Sequence, residues 1–342
     1  MVPRRARRVQ RADAAVSERR PVVVVMGTTA DEPPPGIDAI ADLVELRYAP
    51  DRPTLGEELG DAEVLYTWWG EPADLEATWP RAGRLRWVAA SNVGVNRMLF
   101  PALVESDVVM TNARGAADGP IAETVLGFLA AMSKGFRRMF DDQREHLWGE
   151  RGMQRLEGTR LVVVGPGPIG RAIARAARDG LAMRVEAVGR AGRGGDDVFE
   201  RVRGIEELHP ALADADHVVD ALPLTPATRH TFDAAAFAAM KPTARFVNVG
   251  RGATVDEPAL IRALRDGTIA GAALDVFEEE PLPQDSPLWD MEQVIVCPHR
   301  SGDVEGWELD FANVFYDNVH RWLRGEPLRN VVDKRLGFPT GE

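Results

Sequence analysis

Residues 161–170 read Leu-Val-Val-Val-Gly-Pro-Gly-Pro-Ile-Gly, an apolar strand pattern that runs directly into a glycine-rich turn. Gly165, Gly167 and Gly170 have the spacing Gly-x-Gly-x-x-Gly, and an alanine-rich helical pattern follows them. Such glycines allow a tight turn and close approach of a pyrophosphate, while the helix N-terminus supplies N–H groups and a positive dipole end. The stretch predicts a dinucleotide site that includes Pro168 and Ile169, although Pro168 has no N–H to offer a phosphate. A purely structural glycine turn is the alternative.

Short apolar strands alternate with helical patterns on both sides of this turn, which predicts α/β architecture with parallel sheets covered on both faces. In the first series we predict strands at 22–26, 64–67, 87–89 and 108–111, and helices near 36–42, 54–60 and 72–79. In the second series we predict strands at 161–164, 185–188, 217–220, 245–249, 270–274 and 294–297, and helices at 168–178, 205–213, 233–240 and 256–265. Long helical patterns open at Pro120 and cover 304–323. The sequence therefore predicts two doubly wound parallel-sheet domains.

The composition limits the classes of partner and compartment. The chain has 342 residues and a formal charge of −12, so it is a poor candidate for non-specific binding of nucleic acid or anionic membranes. No apolar run approaches the roughly 18 residues of a membrane span. The single cysteine, Cys297, allows no internal disulfide, and we expect a cytoplasmic protein. No His-x-x-x-His or Cys-x-x-Cys pattern occurs, so no metal site is expected.

Residues 1–20 carry seven arginines without apolar periodicity. A secretory signal would place an apolar stretch after such charges. We predict a flexible basic tail, with a nucleic-acid arm as the alternative.

The strand after the glycine turn ends in Gly189 and Arg190, where an acid that bonds the ribose 2′-hydroxyl is usual. Glu186 lies too early, inside the strand. Arg190 and Arg193 can instead pair with a 2′-phosphate, because guanidinium groups match phosphate geometry. The sequence thus favours NADP over NAD, with solvated loop arginines as the alternative.

Three chemistry-bearing residues follow successive strands of the second series: Arg251, Glu280 and His299. In open α/β sheets ligands bind outside the carboxyl ends of the strands, so these side chains are expected to meet. Arg251 can hold a carboxylate and polarise a carbonyl, His299 can give a proton to a forming alkoxide, and Glu280 can orient the imidazole. The set suits hydride transfer to a 2-keto acid.

At this point the sequence resembles the D-isomer-specific 2-hydroxyacid dehydrogenases, and among them the glyoxylate and hydroxypyruvate reductases. The resemblance covers about residues 60 to 330. It is carried by Gly-x-Gly-x-x-Gly, Leu222-Pro-Leu-Thr-Pro-Ala-Thr228, Asn248-Val-Gly-Arg251-Gly, Asp275-Val-Phe-x-x-Glu280-Pro and Pro298-His299. It implies a Rossmann cofactor domain, 118–298, inserted into a flavodoxin-like substrate lobe, 21–117 plus 299–342. It also implies a homodimer, with the helix near 120–145 prominent in the contact.

The resemblance assigns roles to individual residues. Arg251 would bind substrate, and His299, paired with Glu280, would be the acid/base. The nicotinamide half of the cofactor site would be lined by Leu222, Pro223, Thr228, Val249, Gly250, Arg251 and Asp275.

The same resemblance extends to the substrate lobe. The N–H groups of Val93 and Gly94 would hold the substrate carboxylate, and Asn96 stands where the family usually has Asp. Trp68 would face the cleft, with packing inside the lobe as the alternative. Arg300 replaces a usually apolar residue and can favour a substrate with a second acidic group.

The leading hypothesis is reduction of a small 2-keto acid to a D-2-hydroxy acid with NADPH or NADH. One alternative is a nucleotide-sensing binding protein, like the corepressors of the same family, which keep the fold and the catalytic residues. Another is a phosphoglycerate dehydrogenase, although the sequence stops at Glu342 without that group's long regulatory C-terminus.

Overall fold

The computed structural model describes residues 19–150 and 152–339, so the predicted tail at 1–20 lies almost wholly outside the described residues. The first sheet has five parallel strands in the order β2-β1-β3-β4-β5. These strands are β1 (Val22–Met26), β2 (Glu45–Ala49), β3 (Val64–Thr67), β4 (Trp87–Ala90) and β5 (Val109–Thr111). The helices between them are α1 (Asp38–Ala41), α2 (Arg52–Glu58), α3 (Pro72–Thr78) and α4 (Pro101–Glu105).

The second sheet has eight strands in the order β13-β12-β11-β10-β6-β7-β9-β8. Its strands are β6 (Arg160–Val164), β7 (Arg184–Gly189), β8 (Arg193–Gly194), β9 (Arg201–Gly204), β10 (His217–Asp220), β11 (Arg245–Asn248), β12 (Gly271–Leu274) and β13 (Val294–Val296). The remaining helices are α5 (Asp118–Lys134), α6 (Phe136–Arg144), α7 (Pro168–Leu181), α8 (Leu208–Asp214), α9 (Ala234–Ala239), α10 (Glu257–Arg265) and α11 (Trp307–Arg324). A small antiparallel pair, β14 (Val332–Asp333) and β15 (Phe338–Pro339), follows α11.

Helix α11 packs on the first sheet although it follows the last strand of the second. Phe315 stacks on Tyr66 with ring centroids 4.0 Å apart, and Ala312 and Val319 join the same buried cluster. The two sheets are thus linked by a chain that leaves the first sheet after β5 and returns to it at α11. The predicted boundaries at 117/118 and 298/299 remain predictions.

The predicted element pattern did not include α4, β9 or the β14–β15 pair, and it was wrong in three further details. Strand β2 was missed, because Glu45 and Arg47 interrupt its apolar pattern at the sheet edge. The helix predicted through 120–145 is two helices, since Gly135 takes a left-handed φ of 66° between α5 and α6. No strand was predicted between 189 and 205, but Arg193–Gly194 form β8, antiparallel to β9.

Candidate active site

The glycine turn after β6 has the shape that a pyrophosphate needs. Gly165 has a φ of 104°, and a Cβ atom there would lie 2.7 Å from the Ala221 carbonyl oxygen. A Cβ on Gly170 would lie 2.1 Å from the Gly165 carbonyl oxygen, so no larger residue fits at either place. A Cβ on Gly167, in contrast, would meet nothing within 4 Å. The turn is packed on the inside and leaves room for a ligand at its exposed middle glycine.

Helix α7 begins at this turn with Pro168 as its first residue and Gly167 as its N-cap. Proline suits this position because its fixed φ matches the helix and its missing N–H has no helical partner there. The N–H groups of Ile169 and Gly170 lie in the first turn, where helical N–H groups lack intrahelical acceptors. Together with the dipole, these groups fit the pyrophosphate of a dinucleotide.

The end of β7 carries no carboxylate toward this turn. Glu186 is buried and accepts a hydrogen bond from Arg203 Nε at 2.9 Å. Arg190 is exposed and makes no ion pair with a residue that the structure describes. Arg193 donates to Asp196 Oδ2 at 2.8 Å. Of the two predicted phosphate ligands, only Arg190 therefore has a guanidinium group without an ion pair to a described residue.

The loop after β10 is fixed by its own polar groups. Leu222 N donates to Asp220 Oδ1 at 2.9 Å, and Thr228 Oγ1 donates to the Pro223 carbonyl at 2.6 Å. A Cβ on Gly250 would lie 2.7 Å from the Leu222 carbonyl oxygen, so the turn after β11 lies directly against this loop. The structure therefore brings together Leu222, Pro223, Thr228, Val249 and Gly250, as the predicted nicotinamide site requires.

Arg251 reaches from the second sheet to the loop that follows β4. A Cβ on Gly94 would lie 1.4 Å from Arg251 Nη2, so the guanidinium occupies the place beside the Gly94 backbone. Arg251 Nη1 also donates to the Gly250 carbonyl at 2.6 Å. Burial lowers the pKa of Arg251 from its usual value, although the charges of Glu280 and Asp275 oppose this. Val93, next to Gly94, is held through its carbonyl by Asn112 Nδ2.

His299 and Glu280 form a pair at the other side of Arg251. His299 Nδ1 lies 2.8 Å from Glu280 Oε2, and Glu280 Oε1 accepts a hydrogen bond from Phe277 N at 3.1 Å. The hydrogen bond to Glu280 raises the pKa of His299, although burial opposes it. Because Nδ1 is occupied by Glu280, Nε2 is the ring nitrogen available to a substrate.

Asp275 holds the backbone that carries His299. Its carboxylate accepts hydrogen bonds from Arg300 N at 2.8 Å and Ser301 N at 3.0 Å, and from the Ser301 hydroxyl. The φ of His299 is 55°, in the left-handed region, which non-glycine residues occupy only when the surroundings fix it. The observed contacts of Asp275 are thus with the histidine loop, and its predicted place beside the nicotinamide remains a prediction.

Trp68 packs inside the lobe, and its neighbour Trp69 is the exposed ring. Trp68 is 5% exposed and its ring lies 5.7 Å from that of Tyr66, whereas Trp69 is 53% exposed. Both line a cavity of about 660 Å³ that none of Arg251, Glu280 and His299 lines. These positions favour the packing alternative for Trp68.

Known proteins resemble this chain in sequence and in fold. A model of the D-isomer specific 2-hydroxyacid dehydrogenase NAD binding domain matches residues 126–301. The glyoxylate reductase of Korarchaeum cryptofilum is 31% identical over 321 residues, which cover 90% of this chain and 95% of that protein. The chain belongs to the D-isomer-specific 2-hydroxyacid dehydrogenase family. The predicted family, its α/β fold and its use of NAD(P) are thereby confirmed.

Two further proteins are similar to this dehydrogenase, one in sequence and one in sequence and structure. The D-3-phosphoglycerate dehydrogenase of Methanocaldococcus jannaschii is 30% identical over 85% of this chain, which spans 55% of that relative's length. A solved structure of NADPH-dependent glyoxylate/hydroxypyruvate reductase from Sinorhizobium meliloti, in complex with NADP and sulfate, is 26% identical with a TM-score of 0.79. That match covers 94% of this chain and 100% of the other.

Sequence reasoning missed two polar contacts of this dehydrogenase. Asn96 Nδ2 donates to the Leu224 carbonyl at 2.8 Å, so the loop after β4 is tied to the cofactor loop. The second contact joins Asp220 Oδ2 and Thr254 Oγ1, and both residues are fully buried. A carboxylate at the end of the apolar run His217-Val-Val-Asp220 is the signal that would have found the second contact.

Among residues 19–150 and 152–339, no group of three His, Cys, Asp or Glu side chains is placed to hold a metal ion. No helix in the same ranges is both long and apolar enough to cross a membrane.

The His299–Glu280 pair predicts a pH effect in this dehydrogenase. As the predicted proton donor of the reduction, His299 has to be protonated, so kcat/KM should fall as pH rises through the raised pKa of His299. Glu280→Gln removes the carboxylate that raises this pKa, and the fall should therefore begin at lower pH. The check is the pH profile of kcat/KM, with the neighbouring Glu279→Gln as control. An unchanged profile in Glu280→Gln would mean that Glu280 does not set the proton affinity of His299.

Proposed function

We propose that this dehydrogenase reduces a small 2-keto acid, of the glyoxylate or hydroxypyruvate kind, to a D-2-hydroxy acid. The observation that carries the proposal is the 2.8 Å contact of His299 with Glu280, beside an Arg251 guanidinium seated against Gly94. A cation for a carboxylate and an acid for the adjacent carbonyl oxygen are what such a reduction needs. The names of the similar reductases support this size of substrate.

The roles follow from the contacts. Arg251 and the N–H groups of Val93 and Gly94 bind the carboxylate and orient the carbonyl. A bound nicotinamide cofactor supplies the hydride. His299 Nε2 donates the proton to the carbonyl oxygen, and Glu280 keeps the imidazole oriented and charged until then.

We propose NADPH as the preferred cofactor, because Gly189 stands where an acid would repel a 2′-phosphate and exposed Arg190 follows it. Crystallised relatives in complex with NADP support this choice. Arg193 is already paired with Asp196, so Arg190 carries most of the expected preference.

Arg190→Ala should therefore lower the affinity for NADPH by roughly tenfold or more, since a charge-assisted bond contributes about 1.5–3 kcal/mol. The affinity for NADH should stay unchanged. Binding of both cofactors is measured by fluorescence titration, with Arg324→Ala on remote α11 as control. A uniform loss for both cofactors would remove Arg190 from the choice between them. Gly189→Asp is a poor test, since a Cβ there would lie 2.9 Å from Pro166 Cγ.

A homodimer is proposed from the apolar surface of α6 and the segment after it. Phe140 is 58% exposed and Trp148 is 95% exposed. Their neighbours Phe136, Met139 and Leu147 are also exposed, and contiguous exposed apolar groups of this kind mark protein interfaces.

We also place the enzyme in the cytoplasm, because its one cysteine allows no internal disulfide.

The double variant Phe140→Ser, Trp148→Ser should turn the dimer into a monomer, because it removes the most exposed rings of this surface. Light scattering after size-exclusion chromatography gives the mass, and Leu323→Ser on α11 is the control for loss of an exposed apolar group. A wild-type protein that is monomeric at micromolar concentration would contradict the dimer.

The proposed function is tested by a panel of 2-keto acids with NADPH and NADH. Glyoxylate or hydroxypyruvate should be reduced with the highest kcat/KM. A preference for phosphohydroxypyruvate would favour a phosphoglycerate dehydrogenase. Tight NADPH binding without turnover of any acid would favour a nucleotide-sensing protein.

A further inference from the structure

Asp220 is a carboxyl group at the centre of the second sheet. It ends β10, between Val164 of β6 and Asn248 of β11, and is 0% exposed. Its Oδ1 accepts from Leu222 N at 2.9 Å, and its Oδ2 lies within hydrogen-bonding distance of Thr254 Oγ1. Thr254 is also 0% exposed. The carboxyl therefore contacts both turns that form the proposed nicotinamide site.

The hydrogen bonds of the Thr254 hydroxyl depend on the charge of this carboxyl. Thr254 Oγ1 lies 2.6 Å from the Arg251 carbonyl oxygen as well as beside Asp220 Oδ2. A hydroxyl has one hydrogen to donate, whereas a carbonyl and an ionised carboxylate can only accept. The two contacts are full hydrogen bonds, each with a hydrogen of its own, only if Asp220 carries the second proton. Asp220 O–H then donates to Thr254 Oγ1, and Thr254 O–H donates to the Arg251 carbonyl.

The surroundings agree with a neutral carboxyl. Burial raises the pKa of Asp220 to about 7, although the bonds from Thr254 and Leu222 lower it. On the adjacent strands the ionisable side chains, Arg160 and Arg245, lie at the opposite ends, as does His217 on β10 itself. On the near side lies Arg251, on which the charges of Glu280 and Asp275 also act. No charged group is among the causes that shift the pKa of Asp220.

We propose that Asp220 is a positioning residue that is protonated in the active enzyme, and that its hydrogen-bond chain through Thr254 fixes the turn carrying Arg251. This inference rests on the proposed function of Arg251 as the substrate clamp. When Asp220 ionises, its carboxylate competes for the single Thr254 hydrogen. The Arg251 carbonyl then loses its shortest bond and keeps the longer ones from Thr254 N at 3.1 Å and Asn248 Nδ2 at 3.2 Å. Keto-acid binding weakens as a result, while His299 keeps its own contact with Glu280 on a separate loop.

The first test needs no substrate. Folded Asp220 keeps a proton that the unfolded chain releases above about pH 4, so stability falls as pH rises toward 7 and is level above it. Asp220→Asn keeps the hydrogen-bond pattern without a titrating proton. The folding equilibrium constant of the wild type, divided by that of Asp220→Asn, should fall roughly tenfold per pH unit between about pH 5 and 7. Urea unfolding at several pH values measures it, and a constant ratio would overturn the protonation of Asp220.

The second test follows the chain to Arg251. The KM for glyoxylate of the wild type, divided by that of Asp220→Asn, should rise about two- to tenfold from pH 6 to pH 8, the worth of one hydrogen bond. The ratio of kcat should stay constant. Thr254→Val removes the hydroxyl hydrogen bond to the Arg251 carbonyl. Its KM divided by that of Asp220→Asn should therefore be above one and should not change with pH. His299 is common to all three proteins, so its titration cancels from these ratios.

The two tests separate the possible failures. A stability ratio that falls with pH beside a constant KM ratio would show that Asp220 is protonated but does not position Arg251, which overturns the proposal. An enzyme that turns over no 2-keto acid would instead overturn the proposed function, and the stability ratio would still decide the charge of Asp220.

Discussion

His299→Asn should lower kcat for glyoxylate reduction by roughly a hundredfold or more, the usual contribution of general acid–base catalysis. Asparagine is the fitting replacement because it tolerates the left-handed backbone, φ 55°, that His299 adopts. It has no acidic proton to give to the alkoxide. The dissociation constant for NADPH should stay within about twofold of the wild-type value, since the proposed site of His299 is the substrate oxygen.

Steady-state kinetics and a cofactor titration on the same preparation check this result. The exposed His209→Asn, on α8, is the matched control and should behave as wild type. Full turnover by a folded His299→Asn protein would remove this residue from the mechanism.

Arg251→Lys should raise the KM for keto acids about tenfold to a hundredfold, because lysine keeps the charge but loses the planar pair of donors. The effect should be large here because the guanidinium is seated against Gly94 and bonded to the Gly250 carbonyl at 2.6 Å. The single ammonium group of lysine, at the end of a flexible side chain, cannot keep both contacts and also bind a carboxylate.

Kinetics with glyoxylate and hydroxypyruvate measure the effect, and Arg97→Lys, an exposed arginine in the turn after Gly94, is the control. Wild-type KM values in Arg251→Lys would mean that another residue binds the substrate carboxylate. Arg300, exposed and paired with Asp303 at 3.1 Å, would then be the candidate.

Much of the fold was predictable because burial on both faces leaves a simple sequence pattern. The runs 22–26, 64–67 and 161–164 are near-continuous apolar stretches, and each lies within an observed strand. The glycine turn was predictable because strand, glycine spacing and helix all had to agree. Edge elements were harder, since β2 carries paired charges such as Arg47 with Asp61 at 2.8 Å.

The site was predictable as a set of residues but not as a set of contacts. The order of strands places Arg251, Glu280 and His299 at one edge of a sheet, which spacing alone indicates. Pairings between distant segments have no local pattern: Asn96 with Leu224, Arg251 against Gly94, Asp220 with Thr254. The same holds for the choice between Trp68 and Trp69, which depends on the direction of each side chain after β3.

Hydride transfer itself is the most direct test of the central claim. Hydroxypyruvate is reduced under single-turnover conditions with NADPH deuterated at C4, and the product is analysed for configuration and for deuterium at C2. The account predicts D-glycerate that carries the label from one face of the cofactor, at a rate that His299→Asn lowers at least a hundredfold. Unlabelled glycerate, the L-isomer, or NADPH that stays bound and unoxidised beside every keto acid would contradict it.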